Sequence, residues 1–331
     1  MKRVIYVVDN HALTKLAKAY EGKYFSVIKY KDNLDLFLKS LKQSSNSMLC
    51  LYSPSFIAPL IFFLLRFRRI ECFYFLHEPK LNLKRSSFIK LSLINVWTFL
   101  CSLNAQFIFL SKHSYNLARK NVFISKSSIS RKIISSLVLR KQAESKEISK
   151  LKYDFIIWGL LSKDKGLDFF LKLAKKLPEK EFGILGRKSK ESSDILKGYS
   201  LKNLSFKLEE KFIEESDIED FILSGKIVLL PQSDASQSGC LPMALRYGKP
   251  VVCFDVGSFS EYIKNNEFGG RICKKDGSNQ KDELLEFVNL IDEIENDYNN
   301  HRNGAFNLFY RHFDSERAAI TLSKSLSVKQ L

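Results

Sequence analysis

Short apolar runs of strand length alternate along the chain with longer stretches in which apolar residues recur at helical spacing. In the first half the runs are RVIYVVD (3–9), YFSVIKY (24–30), MLCLYS (48–53), ECFYFLH (71–77) and AQFIFLS (105–111), each followed by a helix-periodic segment. Strands joined by crossover helices pair in parallel, because the helix returns the chain to the end of the sheet where it started. A second series begins at YDFIIWG (153–159) and continues through EFGILG (181–186), NLSFKL (203–208), KIVLLP (226–231), PVVCFD (250–255) and GGRIC (269–273). Between them, LRKQAESKEISKLKY (139–153) is charged and has no sustained apolar face, as a linker does. The predicted fold class is α/β, with two Rossmann-like domains over 1–145 and 151–315 facing each other across a cleft. A C-terminal helix over 316–331 is expected to pack back toward the N-terminal domain. Open α/β sheets bind ligands at the carboxyl ends of their strands, which is where site residues are sought.

At 331 residues and 45% hydrophobic content the chain can fill two such cores. The net charge of +17 is uneven and changes the picture. Residues 1–150 hold 26 Lys and Arg against 8 Asp and Glu, whereas residues 151–331 hold 27 against 28. From Lys80 to Leu100, the cations Lys80, Lys84, Arg85 and Lys90 interleave with Phe88, Leu91, Leu93, Ile94, Trp97 and Phe99. That pattern predicts a basic amphipathic helix on an anionic membrane surface rather than a nucleic-acid partner. The longest apolar stretch, FIAPLIFFLL (56–65), is too short to span a bilayer. The apolar run after Arg3 is too short for a secretory signal. The six cysteines are scattered, with no C-x-x-C pair, as in a reduced cytoplasmic protein. The expected location is the inner face of the cytoplasmic membrane.

Several chemistries are excluded by missing motifs. No G-x-G-x-x-G follows the first strand, and GILGRKSK (183–190) lacks phosphate-loop spacing, so neither a dinucleotide cofactor nor P-loop chemistry is expected. No Asp-x-Asp suggests a metal, and no cofactor is expected. The stretch SDASQSGCLPMALRYGKPVV (233–252) reads as a loop entering a helix and then a strand. Small residues before a helix let a phosphate approach free backbone N–H groups, and a nearby lysine adds charge. Ser236, Gln237, Ser238, Gly239 and Cys240 fit the first part of that description, and Lys165 in SKDKG fits the second. A plain polar helix cap is the simpler alternative.

FIIWGLLSKDKGLDFFLKLAKKLPEKEFGILGR (155–187) and LPQSDASQSGCLPMALRYGKPVVCFDVGSFSEYI (230–263), in that order, resemble the nucleotide-sugar domain of family 4 retaining glycosyltransferases. The resemblance implies a GT-B fold, a nucleotide-diphosphate-sugar donor and retention at the anomeric carbon. The loop is most similar to the bacterial polysaccharide branch that carries A-S-Q-S-G. Two glutamates common in the family are Ala235 and Met243 in this chain, and a common arginine is Leu160. Asp234 or Glu261 is left to meet the ribose. His77, with Glu78, closes the fourth strand, where the family places a functional histidine or acid; His77 and Lys165 are the expected catalytic pair. His11 and Glu78 are expected on the acceptor side, and His113, His301 and His312 on the surface. The function these residues imply is transfer of a sugar to a lipid-linked or surface-polysaccharide acceptor. A nucleotide-sugar epimerase and a catalytically silent homologue that binds anionic lipid or a partner transferase are the alternatives.

Overall fold

The computed structural model describes residues 2–9, 11–44, 47–52, 55–77, 88–121, 123–130, 132–135, 139, 151–211, 213–233, 238–275 and 280–327, without the side chains of 2, 11–13, 15 and 88–91. By internal contacts the chain forms two compact units, Met1–Arg140 with Phe313–Leu331, and Lys141–His312. Most of the expected linker lies outside the described residues.

The first unit is built on β1 (Lys2–Val8), β2 (Ser26–Tyr30), β3 (Ser47–Leu51), β4 (Glu71–Leu76), β5 (Gln106–Phe109) and β6 (Ile133–Ile134), all parallel in the order β2-β1-β3-β4-β5-β6. Alternation along the strands sends Val4, Tyr6, Leu49 and Leu51 to one face and Ile5, Val7, Met48 and Cys50 to the other. Three helices, α1 (His11–Lys18), α2 (Asn33–Leu41) and α3 (Ala58–Phe67), follow the first three strands in turn, and α4 (Phe88–Ser102) and α5 (Lys112–Arg119) follow β4 and β5. The first face is covered by α2, α3, α4 and α5 through Leu36, Ile61, Phe62, Leu65, Cys101 and Ala118. The second is covered by α1 through Ala17 and, from the far end of the chain, by a helix that supplies Ala319, Leu322 and Leu326.

The second unit holds β7 (Tyr153–Leu160), β8 (Phe182–Arg187), β9 (Leu204–Glu209), β10 (Gly225–Leu230), β11 (Val251–Phe254) and β12 (Gly270–Cys273), parallel in the order β12-β11-β10-β7-β8-β9. Its helices are α6 (Leu167–Lys176), α7 (Lys190–Lys197), α8 (Glu215–Ser224), α9 (Cys240–Arg246), α10 (Phe259–Tyr262), α11 (Gln280–Asn296) and α12 (Tyr298–His312). The last helix, α13 (Ser315–Ser327), belongs to the first unit. The two-domain Rossmann-like α/β class expected from the apolar pattern is therefore the one observed.

Two expectations are corrected. His301 is not a surface residue but fully buried in α12, accepting a hydrogen bond on Nδ1 from Gly269 N at 3.3 Å. The Lys80–Leu100 segment is described only from Phe88, and there Trp97 is not the headgroup anchor the pattern suggests. Its indole N–H donates to Ser55 O at 2.9 Å, and its ring packs edge-on against Tyr74 in the core. Among the described residues no helix is long and apolar enough to cross a membrane.

Candidate functional site

In the second unit the chain leaves β7 toward β8 and β9 on one side, and leaves β10 toward β11 and β12 on the other. β7 and β10 are hydrogen-bonded neighbours, so the strand order reverses between them. Loops diverging from two adjacent strands open a crevice at their carboxyl ends, the place where doubly wound sheets hold ligands. Two turns line it here, residues 161–166 after β7 and, after β10, residues 231–233 with 238 and 239.

The first turn is wound tightly. Ser162 O accepts from Lys165 N at 3.1 Å and from Leu167 N at 3.3 Å, and Gly166 caps α6 in the left-handed conformation at φ 80°. A side chain at Gly166 would place its Cβ 2.0 Å from Pro231 O, so glycine is what lets the two turns touch. They are then clasped by Ser233, whose N donates to Asp164 O at 3.0 Å and whose Oγ donates to the same oxygen at 3.2 Å. Inside the clasp, half-buried Lys165 extends Nζ to Gln232 Oε1 at 3.3 Å. Gln232 in turn donates from Nε2 to Ser238 Oγ at 3.2 Å. The thiol of Cys240 sits 3.7 Å from Trp158 O. Burial pushes that thiol up from its ordinary pKa, while the Lys165 charge and a hydrogen bond with Ser238 pull it down.

The structure thus brings Lys165, Ser238 and Cys240 together, with Gly239 exposed beside them as the N-cap of α9. Gly239 offers no side-chain acceptor, and its φ of −65° makes no demand for glycine, so any need for glycine there is a need for space. Asp234, Ser236 and Gln237 lie outside the described residues, as does Ala235. Met243 is half-buried in α9. Glu261 is half-buried in α10, beyond the end of β11 and one strand removed from the β7–β10 reversal.

In the first unit His77 follows β4, and its Nε2 lies 2.8 Å from Tyr52 O, at the end of neighbouring β3. A carbonyl only accepts, so Nε2 carries the hydrogen. The ring also stands edge-on to Tyr52, 4.9 Å between centroids. Glu78 lies outside the described residues, and His11 opens α1 with its side chain outside them.

Three residues of the second site escaped the sequence reading. Gln232 joins Lys165 to Ser238, and a glutamine after a strand gives no local signal of that role. Ser162 is buried with no hydrogen-bond partner for Oγ among the described residues. Arg187, exposed at the end of β8, is in register with Leu160, so a cation stands on the neighbouring strand beside the position where the family's arginine is missing. Among the described residues no group of three His, Cys, Asp or Glu is placed to hold a metal ion.

No curated protein sequence matches the chain significantly. Solved structures do, over most of its length. Anabaena Alr3699/HepE, solved in complex with UDP and glucose, is 15% identical over 99% of this chain and 100% of its own, with a TM-score of 0.67. A glycosyltransferase from Rickettsia africae is 10% identical over 99% of each chain, with a TM-score of 0.68. The pneumococcal O-GlcNAc transferase GtfA is 12% identical over 88% of this chain and 60% of its own, with a TM-score of 0.61. At these identities the likeness is one of fold. The sequence itself matches the family described as Glycosyl transferases group 1 over residues 140–305, just over half the chain and the part that carries the Lys165 and Ser238 turns. The chain is a glycosyltransferase and belongs to the group 1 family.

Proposed function

We propose that the enzyme binds a nucleotide-diphosphate sugar at the β7–β10 reversal and transfers the sugar, with retention, to a lipid-linked or surface-polysaccharide acceptor at the inner membrane face. The observation that carries this reading is the Lys165–Gln232–Ser238 chain at the strand-order reversal, beside a helix start whose N-cap has no side chain. UDP-glucose and UDP with GlcNAc accompany HepE and GtfA in their structures, and both share this fold. In the reaction the bond between the anomeric carbon and the diphosphate oxygen breaks, and the acceptor hydroxyl oxygen bonds to that carbon on the same face. The hydroxyl proton leaves toward the departing diphosphate. Lys165 and the first-turn amides of α9 meet the charge that grows on the diphosphate, with Arg187 as a second cation; fixed donors of this kind supply much of a transfer enzyme's rate. Ser236 and Gln237 extend the same cradle, and Asp234 or Glu261 meets the ribose. His77, which donates to Tyr52 O, is proposed to position the acceptor hydroxyl, and Glu78 and His11 are proposed as acceptor-side residues.

Calorimetric titration with UDP, GDP and ADP tests this. A charge-assisted hydrogen bond contributes roughly 1.5 to 3 kcal/mol, so Lys165→Ala lowers affinity for the nucleotide that binds by about 10- to 150-fold. His77→Ala leaves that affinity unchanged and lowers transfer by about 100-fold. Equal nucleotide affinity in wild type and Lys165→Ala would move the donor elsewhere.

A further inference from the structure

A helix that covers one face of a sheet needs one apolar stripe; three adjacent helices of the first unit have two. In α3 the core stripe is Ala58, Ile61, Phe62 and Leu65, yet Leu60, Phe63 and Phe67 recur at helical spacing on the opposite side, preceded by Phe56. Phe56 is 89% exposed and Phe67 73%, and the rings of Phe63 and Phe67 pack edge-on, 5.0 Å apart, outside the core. In α4 the outer stripe runs through Leu93, Val96 and Leu100, and Leu93 is 65% exposed. In α2 it runs through Leu34, Leu38 and Leu41. The three helices are neighbours, with α3 touching both α2 and α4. Arginines at the end of α3 tie them together: Arg68 donates to Leu41 O and Gln43 O, and Arg66 to Leu103 O and Asn104 Oδ1. Arg69 is exposed beside them.

We infer that this α2–α3–α4 face docks on an anionic lipid bilayer, its Phe and Leu side chains entering the boundary between headgroups and acyl chains. Contiguous exposed apolar surface marks an interaction site. Charge selects the occupant. The unit that carries the face, 1–140 with 313–331, has 26 Lys and Arg against 8 Asp and Glu. A second copy would bring the same excess of positive charge to a self-complementary contact, whereas an anionic surface neutralises it. This gives a location on the molecule to the membrane association in the proposed function and rests on that reading; the face takes in Leu93, Val96 and Leu100 of the Lys80–Leu100 segment that the charge pattern suggested and adds α2 and α3 to it.

Co-sedimentation with phosphatidylcholine vesicles, with and without phosphatidylglycerol, decides it. The wild type sediments with the anionic vesicles and is released by salt. Phe56→Ser/Phe63→Ser/Phe67→Ser lowers the partition coefficient by about tenfold or more, since membrane affinity follows the apolar area inserted. Phe56→Ser alone, at a site outside the helix and the core, lowers it in the same direction should the triple variant fold poorly. Nucleoside diphosphate affinity, measured on each variant, stays at the wild-type value. Equal vesicle binding by the wild type and both variants would overturn the inference. So would a concentration-dependent dimer that the triple variant abolishes, with no vesicle binding by the wild type. Loss of nucleotide binding in the wild type would count against the donor site and leave the vesicle result standing.

Discussion

His301 is a base that the fold keeps neutral. Its Nδ1 must accept from Gly269 N, its Nε2 is buried with no partner among the described residues, and the ring lies edge-on to Phe268. Burial and the nearby Arg271 charge push its pKa down from 6.5 to about 4, against the opposing pull of Asp297 and Glu293. Between those two values the unfolded chain holds a proton that the folded chain does not, so stability rises with pH through that window and is lost as pH falls through it. The contribution is on the order of 3 kcal/mol. Urea unfolding from neutral pH to about pH 4 should therefore show wild type losing more stability than His301→Gln, the difference between the two cancelling the carboxylates that titrate in the same range. Parallel pH profiles would remove His301 from the account. The sequence placed this residue on the surface because helical periodicity locates a side chain on a helix without saying what the opposite side of that helix meets, and here Gly269 and Phe268 come from a distant loop. Gln232 was missed for a related reason: Lys165 reaches it from the turn after another strand, although Ser238 follows it by only six residues.

Elements were more legible than residues. Buried parallel strands must be apolar on both faces, so β1, β3, β4, β5, β7, β8, β10 and β11 stood out as runs, whereas the edge strands β2 and β9 carry polar residues among their apolar ones and β6, only Ile133–Ile134, is too short to make a pattern. The turn after β7 was legible as SKDKG, but the reason for its glycine was not, because that reason is Pro231 on another strand. Gly166→Ala tests how far the turn depends on it. The new Cβ would fall 2.0 Å from Pro231 O in a backbone at φ 80°, so the two turns must separate. The expected loss is about 2 kcal/mol or more, read as a fall in melting temperature, with weaker nucleoside diphosphate binding. Gly198→Ala is the control: Gly198 is right-handed at φ −75°, and its new Cβ would come no closer than 3.4 Å to Ile195 O. A Gly166→Ala protein as stable as Gly198→Ala would mean that the clasp yields without cost.

At the scale of the whole molecule, the last helix returns to the unit where the chain began. The C-terminal helix expected over 316–331 to pack back toward the N-terminal domain begins just after the chain passes between the units at His312 and Phe313. Phe313 and Leu139 join through a backbone hydrogen bond at 3.0 Å, and Leu139 bridges to Asp314 in parallel. α13 then buries Ala319, Leu322 and Leu326 against Ile5, Val7 and Ile133 on the α1 face of the first sheet. Removing 313–331 exposes that face and deletes three large buried side chains, Phe313, Leu322 and Leu326, each contributing roughly 1.5 to 3 kcal/mol. The sum is comparable to the roughly 5 to 15 kcal/mol that holds an ordinary domain together. The second unit, Lys141–His312, keeps its sheet, its core and the segments proposed to bind the donor. A chain ending at His312 should accordingly unfold its first unit at much lower temperature, while nucleoside diphosphate affinity stays within a few-fold of the full chain and transfer is lost. Scanning calorimetry with and without the nucleotide measures both: the ligand should raise the second unit's transition and leave the first unit's in place. A truncated chain that melts like the full one would show that the first unit does not need α13.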